Sequence, residues 1–147
     1  MKGNTINSPI ETRHPADVLF GGRGLNKRQQ RILETLPEFG SRAAVKKRDV
    51  SMLDLAALTA KTGDEFAMFT RKGDRLLMRG NNEIVPINNK EALKLRSDGY
   101  HWSGHTHPGF TKDSLIISSG DIAVLKAFNQ KRSVIYNAAG KRVMIGE

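Results

Sequence analysis

The sequence predicts an α+β fold in which a mixed or mostly antiparallel β-sheet is flanked by helices. Three observations carry this expectation. Stretches with helix-capping signals alternate with short β-rich runs. Two pairs of those runs are joined by tight-turn sequences, "RKGD" and "AAGK". At 147 residues the chain has the length of one ordinary domain, with no internal repeat and no low-complexity run.

Residues 1–24 read as a tail or linker, with two prolines, Gly-Gly-Arg-Gly and no sustained periodicity. Residues 25–147 read as a single domain, of which 25–50 form an N-terminal extension. "LNKRQQRILETL" is a helix with Asn26 as N-cap, an apolar face of Leu25, Ile32, Leu33 and Leu36, and a stop at Pro37. A short strand is expected at Ala43–Val45. "SMLDLAALTAKTG" is the clearest helix: Ser51 caps it, Asp54 completes a capping box and Gly63 ends it.

"EFAMFT" and "DRLLMRG" form a hairpin, and "EIVPIN" reads as a further strand in which Pro86 marks an edge or a break. "NKEALKLRSDG" is a short helix ending at Gly99. "YHWSGHTH" is a strand, "PGFTKDSLIIS" a loop, "SGDIAVLKAFNQK" a helix, and "SVIYNAAGKRVMIG" a closing hairpin.

Composition excludes several classes of function. The chain has no cysteine, so disulfides, thiolate zinc sites and cysteine nucleophiles are out, and a metal must be held by His, Asp or Glu. Such a ligand set suits zinc with an open coordination position. No apolar run reaches membrane-span length, and the N-terminus lacks the apolar region of a signal peptide. The expected setting is cytoplasmic, or delivery as part of a larger secreted or phage protein. The net charge of +9 attracts nucleic acid or acidic surfaces, but the basic residues are spread and aromatics do not interleave with them.

Chemistry concentrates in "GYHWSGHTHPGFTKDSLIISSGD", residues 99–121. Side chains alternate along a strand, so His105 and His107 share one face, a spacing at which two imidazoles bind one metal ion. His101 has the same parity but no third partner. Ser118 followed by Asp121 is a capping box at the start of an apolar helix. If the loop returns that helix start to the histidines, Asp121 becomes a third ligand and Ser118 presents a hydroxyl.

These residues carry a resemblance. "GHTHP" followed by Ser-x-x-Asp resembles the core of the JAMM (MPN+, JAB-like) zinc metallopeptidases, whose pattern is an upstream Glu, His-x-His-Pro and Ser-x-x-Asp. The resemblance covers about residues 51–147, where the order of elements also matches. It implies a cytidine-deaminase-like, JAMM-type architecture, with zinc held by His105, His107 and Asp121 and water in the fourth position. It implies Glu65 as general base, because Glu65 follows the Ser51–Gly63 helix and opens the next strand, whereas Glu83 falls at the wrong point. It implies Ser118 as the donor to the oxyanion, and a protein or peptide substrate cleaved at a peptide or isopeptide bond. Bacterial and phage relatives occur as processing peptidases and as terminal effector domains of toxin-like proteins. This sequence departs from the family in a longer segment between His107 and Ser118, and in "FAMFTRKG" where a glycine-rich continuation follows the Glu.

The alternative expectation is a basic nucleic-acid-binding module or a metal-dependent nuclease. "LNKRQQRILETL" followed by "LDLAALTAKTG" resembles a helix-turn-helix, but strands follow Gly63 where a recognition helix is needed.

Overall fold

A computed structural model describes residues 24–146, so the expected tail lies outside the described residues up to position 23. The elements are α1 (Lys27–Glu34), β1 (Arg42–Lys46), α2 (Met52–Thr62), β2 (Phe66–Arg71), β3 (Asp74–Arg79), α3 (Asn89–Ser97), β4 (His101–His107), α4 (Ser119–Ala127), β5 (Arg132–Asn137) and β6 (Arg142–Gly146). Short 3-10 turns occupy Lys47–Asp49 and Lys112–Leu115, the second inside the segment read as a loop. The six strands form one sheet in the order β1-β3-β2-β4-β5-β6. Only the β4–β5 pair is parallel, so the sheet is mixed.

Helices cover both faces of this sheet, because β2 is buried on both sides. Its alternate residues Phe66 and Met68 join Leu77 in one apolar cluster with Ile32 and Leu36 from the α1 region and Leu55 and Leu58 of α2. Ala67 and Phe69 belong to the other cluster, with Ala92 and Leu95 of α3, Leu125 of α4, Phe128 and Trp102. Each fully buried Leu or Phe contributes about 1.5–3 kcal/mol relative to exposure. Residues 25–50 are built into the same body: α1 packs on α2, and β1 pairs with β3 as an edge strand. Asp54 ties the two helices together, accepting from Gln29 Nε2 at 3.0 Å and pairing with Arg28.

The caps expected from sequence form. Asn26 with Gln29, Ser51 with Asp54, and Ser118 with Asp121 are reciprocal capping boxes, and Gly63 ends α2 in the left-handed conformation.

The strand expected at "EIVPIN" does not form. Asn81 Oδ1 accepts from the Glu83 and Ile84 amides, both at 2.9 Å, which makes a local turn, and Pro86 has no N–H to offer a ladder. Gly80 permits this turn, since a Cβ there would sit 2.0 Å from the Ile84 carbonyl oxygen. Residues 83–88 instead run without regular structure along the α3–α4 side of the sheet. Arg42 anchors them, donating to the Pro86 carbonyl at 3.3 Å while pairing with Glu91. Among the described residues, no helix is long and apolar enough to cross a membrane.

Candidate metal centre

Strand β4 carries both histidines, and its neighbours hold it in place. Thr106, between them, faces the opposite side: its hydroxyl contacts Thr59 of α2 at 2.5 Å and accepts from the Phe66 amide at 2.8 Å. His105 and His107 therefore face the α3–α4 side. The β2–β4 register pairs Ala67 with His105, and carried two residues further it sets Glu65 beside His107. Glu65 is extended on the β2–β3 ladder, with its amide donating to the Asn81 carbonyl and its carbonyl accepting from Gly80. The residue is 7% exposed, so an exposed position at the strand start does not describe it.

A β-bulge corrects the parity read from sequence. Met68 pairs with Gly104 but Phe69 pairs with Trp102, leaving Ser103 as the extra residue. Alternation is thereby reversed upstream, and His101 is exposed away from the other histidines. Trp102 takes the face of His105 instead and stacks on its ring at 4.8 Å between centroids.

The segment 108–118 closes the geometry. Its 3-10 turn directs the Ser114 carbonyl to His107 Nδ1 at 2.9 Å. A carbonyl only accepts, so Nδ1 bears a proton, and Nε2 is the nitrogen that faces the cluster and can ligate when the ring is neutral. Gly109 lets the turn approach: its φ is +109°, and a Cβ would lie 2.8 Å from Ser114 Cβ. Buried Asn137 of β5 holds the segment, its Nδ2 donating to the Thr111 carbonyl at 3.1 Å.

The start of α4 then meets the histidines. His105 Nε2 is 3.0 Å from His107 Nε2 and 2.8 Å from Asp121 Oδ1, and His107 Nε2 is 3.4 Å from Asp121 Oδ2. Asp121 meets the two imidazoles through different carboxylate oxygens. The ligand atoms of Glu65, His105 and His107 also lie within 4.8 Å of one another, so two carboxylates border the same pair of imidazoles. This buried group can hold a metal ion. His105 Nδ1 is buried without a hydrogen-bond partner among the described residues, and stacking on Trp102 orients the ring where a carbonyl serves His107.

The electrostatics separate the two carboxylates. Burial pushes the Glu65 carboxyl up to about 8, with Asp121 adding and His107 opposing. Burial works against the Asp121 charge too, but hydrogen bonds from His105, His107 and the Ser118 amide outweigh it and hold the carboxyl well below the usual range. Burial lowers His105; for His107 it is outweighed by Asp121, Glu65 and the Ser114 carbonyl, and the imidazole is raised.

Ser118 is exposed and caps α4, its Oγ accepting from the Asp121 amide at 3.1 Å and its own amide donating to Asp121 Oδ2 at 2.9 Å. Beside the cluster a cavity of about 230 Å³ opens, bordered by Glu65, His105, Asp121 and Ser118 at one end. The structure thus brings together all five residues singled out in the sequence. Trp102, Asn137 and the Ser114 carbonyl escape sequence reasoning: a bulge hides the first, and main-chain or long-range contacts define the others.

No family model matches the chain, and no curated protein or solved structure shows significant similarity to it.

Proposed function

We propose that this chain is a zinc-dependent hydrolase that cleaves peptide or isopeptide bonds, a JAMM-like metallopeptidase domain on a cytidine-deaminase-like scaffold. The carrying observation is the convergence of His105 Nε2, His107 Nε2 and the Asp121 carboxylate within 3.4 Å of one another, with Glu65 alongside. Two imidazoles and a carboxylate without thiolate are the donor set of a catalytic zinc with an open position.

His105, His107 and Asp121 would hold the metal. A zinc ion bound there supplies a water of lowered pKa and polarises a carbonyl. Asp121 is assigned as ligand over Glu65 because it already contacts both histidines and keeps its charge. Glu65, buried beside the two imidazoles, is placed to exchange a proton with a group bound there. Its carboxylate takes the proton of the attacking water and returns it to the leaving amine. Ser118 Oγ, which accepts the Asp121 N–H, retains its own proton to donate to the carbonyl oxygen as negative charge develops. The Ser114 carbonyl keeps His107 in the tautomer that ligates through Nε2.

The test is metal analysis and peptide turnover of the purified chain. Near-stoichiometric zinc that is lost in His105→Ala and His107→Ala, with chelator-sensitive cleavage of unstructured peptides, is the expected result. A protein that takes up no zinc overturns the reading.

A nucleic-acid-directed function is the second reading, and one observation favours it. Arg28, Lys46, Lys47, Arg48 and Arg75 line a groove near the end of β2 remote from Glu65, with Asp54 and Asp74 pairing Arg28 and Lys46 there. Six strand residues separate the groove from the cluster by about 20 Å. This basic groove therefore does not border the metal centre, which favours a peptidase over a nuclease. Steeply salt-dependent binding of RNA or DNA, weakened by Lys47→Glu with Arg48→Glu, would support a separate binding role for the groove.

A further inference from the structure

The cavity beside the cluster has a chemical character of its own. Its floor is Ala67, Phe69 and Trp102 of the sheet, and its walls include Ala92 of α3 with Val124 and Ala127 of α4. Alanines at facing helix positions leave the space that larger residues would fill. The charged groups on its lining are Glu65, His105 and Asp121 at the metal end and Glu83 on the segment before α3. Between these ends the wall is mostly apolar, with Asn88 and Asn89 near Glu83 at the mouth, so an anionic occupant would be buried without a partner and a cationic one would meet only Glu83.

The size selects one side chain. An apolar cavity of about 150 Å³ holds a benzene, whereas pockets for whole small-molecule ligands run from about 300 Å³ upward. At about 230 Å³ this cleft fits a leucine- or phenylalanine-sized group and little more.

We propose that the cleft is a specificity pocket receiving one large apolar side chain of the substrate, from the residue flanking the scissile bond. The inference rests on the peptidase reading and names the substrate class it selects. A side chain seated between α3 and α4 leaves its own main chain at the polar end, where Glu65, His105, Asp121 and Ser118 gather. Trp102, the single tryptophan of the chain, forms part of the floor and reports occupancy directly.

Two measurements test this, one of which needs no catalysis. With the zinc-loaded chain, peptides carrying Gly, Ala, Leu, Phe, Asp or Lys on either side of the cleaved bond are compared. One methylene in an apolar pocket discriminates about 10–200-fold, so Leu and Phe are expected to exceed Ala by about 100-fold in kcat/KM at one of the two positions. Ala127→Leu, which narrows the cleft, is expected to reduce that ratio at least about tenfold, and Ala92→Val serves where the first variant folds poorly. An active enzyme indifferent to Leu against Ala at both positions overturns the pocket and leaves the peptidase reading standing.

If no peptide is cleaved, the peptidase reading fails, and the pocket is judged by binding alone. N-acetyl-leucinamide is titrated against Trp102 fluorescence in the chain, with N-acetyl-glycinamide as control. A saturable change for the leucine compound, weakened in Ala127→Leu, supports the pocket. Equal response to both compounds, or none, overturns it.

Discussion

Asp121 Oδ1 lies 2.8 Å from His105 Nε2, while Oδ2 of the same carboxylate accepts the Ser118 amide that begins α4. One side chain thus caps a helix and joins the imidazole pair. The two roles reinforce each other, since the cap fixes the rotamer that points the carboxylate at β4.

This double role separates Asp121 from Glu65 in a direct comparison. Asp121→Asn keeps an acceptor for the cap but removes the charge, and zinc affinity is expected to fall by more than about 100-fold. Glu65→Gln is expected to bind zinc within a few-fold of the wild type while losing about 10²–10⁴ in kcat. Competition with a chromophoric chelator measures the first quantity and peptide turnover the second. The opposite pattern would make Glu65 the third ligand.

The metal-free protein is expected to lose stability as pH rises through neutrality. Glu65 moves from an ordinary value of 4.5 to about 8 on folding, so the folded state binds its proton more tightly. That contribution is complete below the ordinary value and is lost as pH rises through about 8. His107, also raised, acts in the same direction, His105, lowered by burial, acts against them, and depressed Asp121 is ionised in both states across this window. The expected loss is of order 2–4 kcal/mol. Denaturant melts from pH 5 to 8 in chelator measure it, and Glu65→Gln should flatten most of the slope.

Ser118 divides into cap and hydroxyl. Ser118→Gly leaves a tolerated cap residue and is expected to cost only a few tenths of a kcal/mol. Loss of the donor to the developing oxyanion should lower kcat by about 10²–10³ with zinc retained. A variant with wild-type kcat would confine Ser118 to the cap.

Gly109 is expected to control His107 from a distance. Alanine there meets both a left-handed φ of +109° and Ser114 Cβ at 2.8 Å, so the turn must shift and the His107 Nδ1 hydrogen bond with it. Zinc affinity should fall about 10–100-fold, the usual effect of losing a group that orients a ligand. Gly99→Ala, with a φ of +95° and only the Arg71 side chain beside it at the end of β2 remote from Glu65, is the control for strain alone and should leave affinity intact.

Much of this arrangement is legible in the residues. Caps are local patterns in which a side chain bonds an amide three residues on, so Asn26 begins α1 and the Ser51–Asp54 and Ser118–Asp121 boxes begin α2 and α4 as expected, while Gln29 completes a box on α1 beyond those expected from sequence. His105 and His107 share a face because strand alternation is a property of the backbone itself. Where a local pattern competed with a partner, the partner decided. "EIVPIN" has strand composition, but Asn81 turns the chain and Pro86 cannot enter a ladder.

What the sequence alone determined is the order and type of most of the elements, the strand expected at "EIVPIN" excepted, and the kinds of donors available for a metal: imidazole and carboxylate, never thiolate. Tertiary structure decided which of them meet. The Ser103 bulge reversed the alternation and exchanged His101 for Trp102, the 3-10 turn brought Ser114 to His107, and the burial of Glu65 raised its carboxyl. Helix starts and strand faces depend on residues a few positions apart. Register shifts, desolvation and the cleft between α3 and α4 arise from packing of distant segments, whose free energy is set only when the whole sheet is assembled.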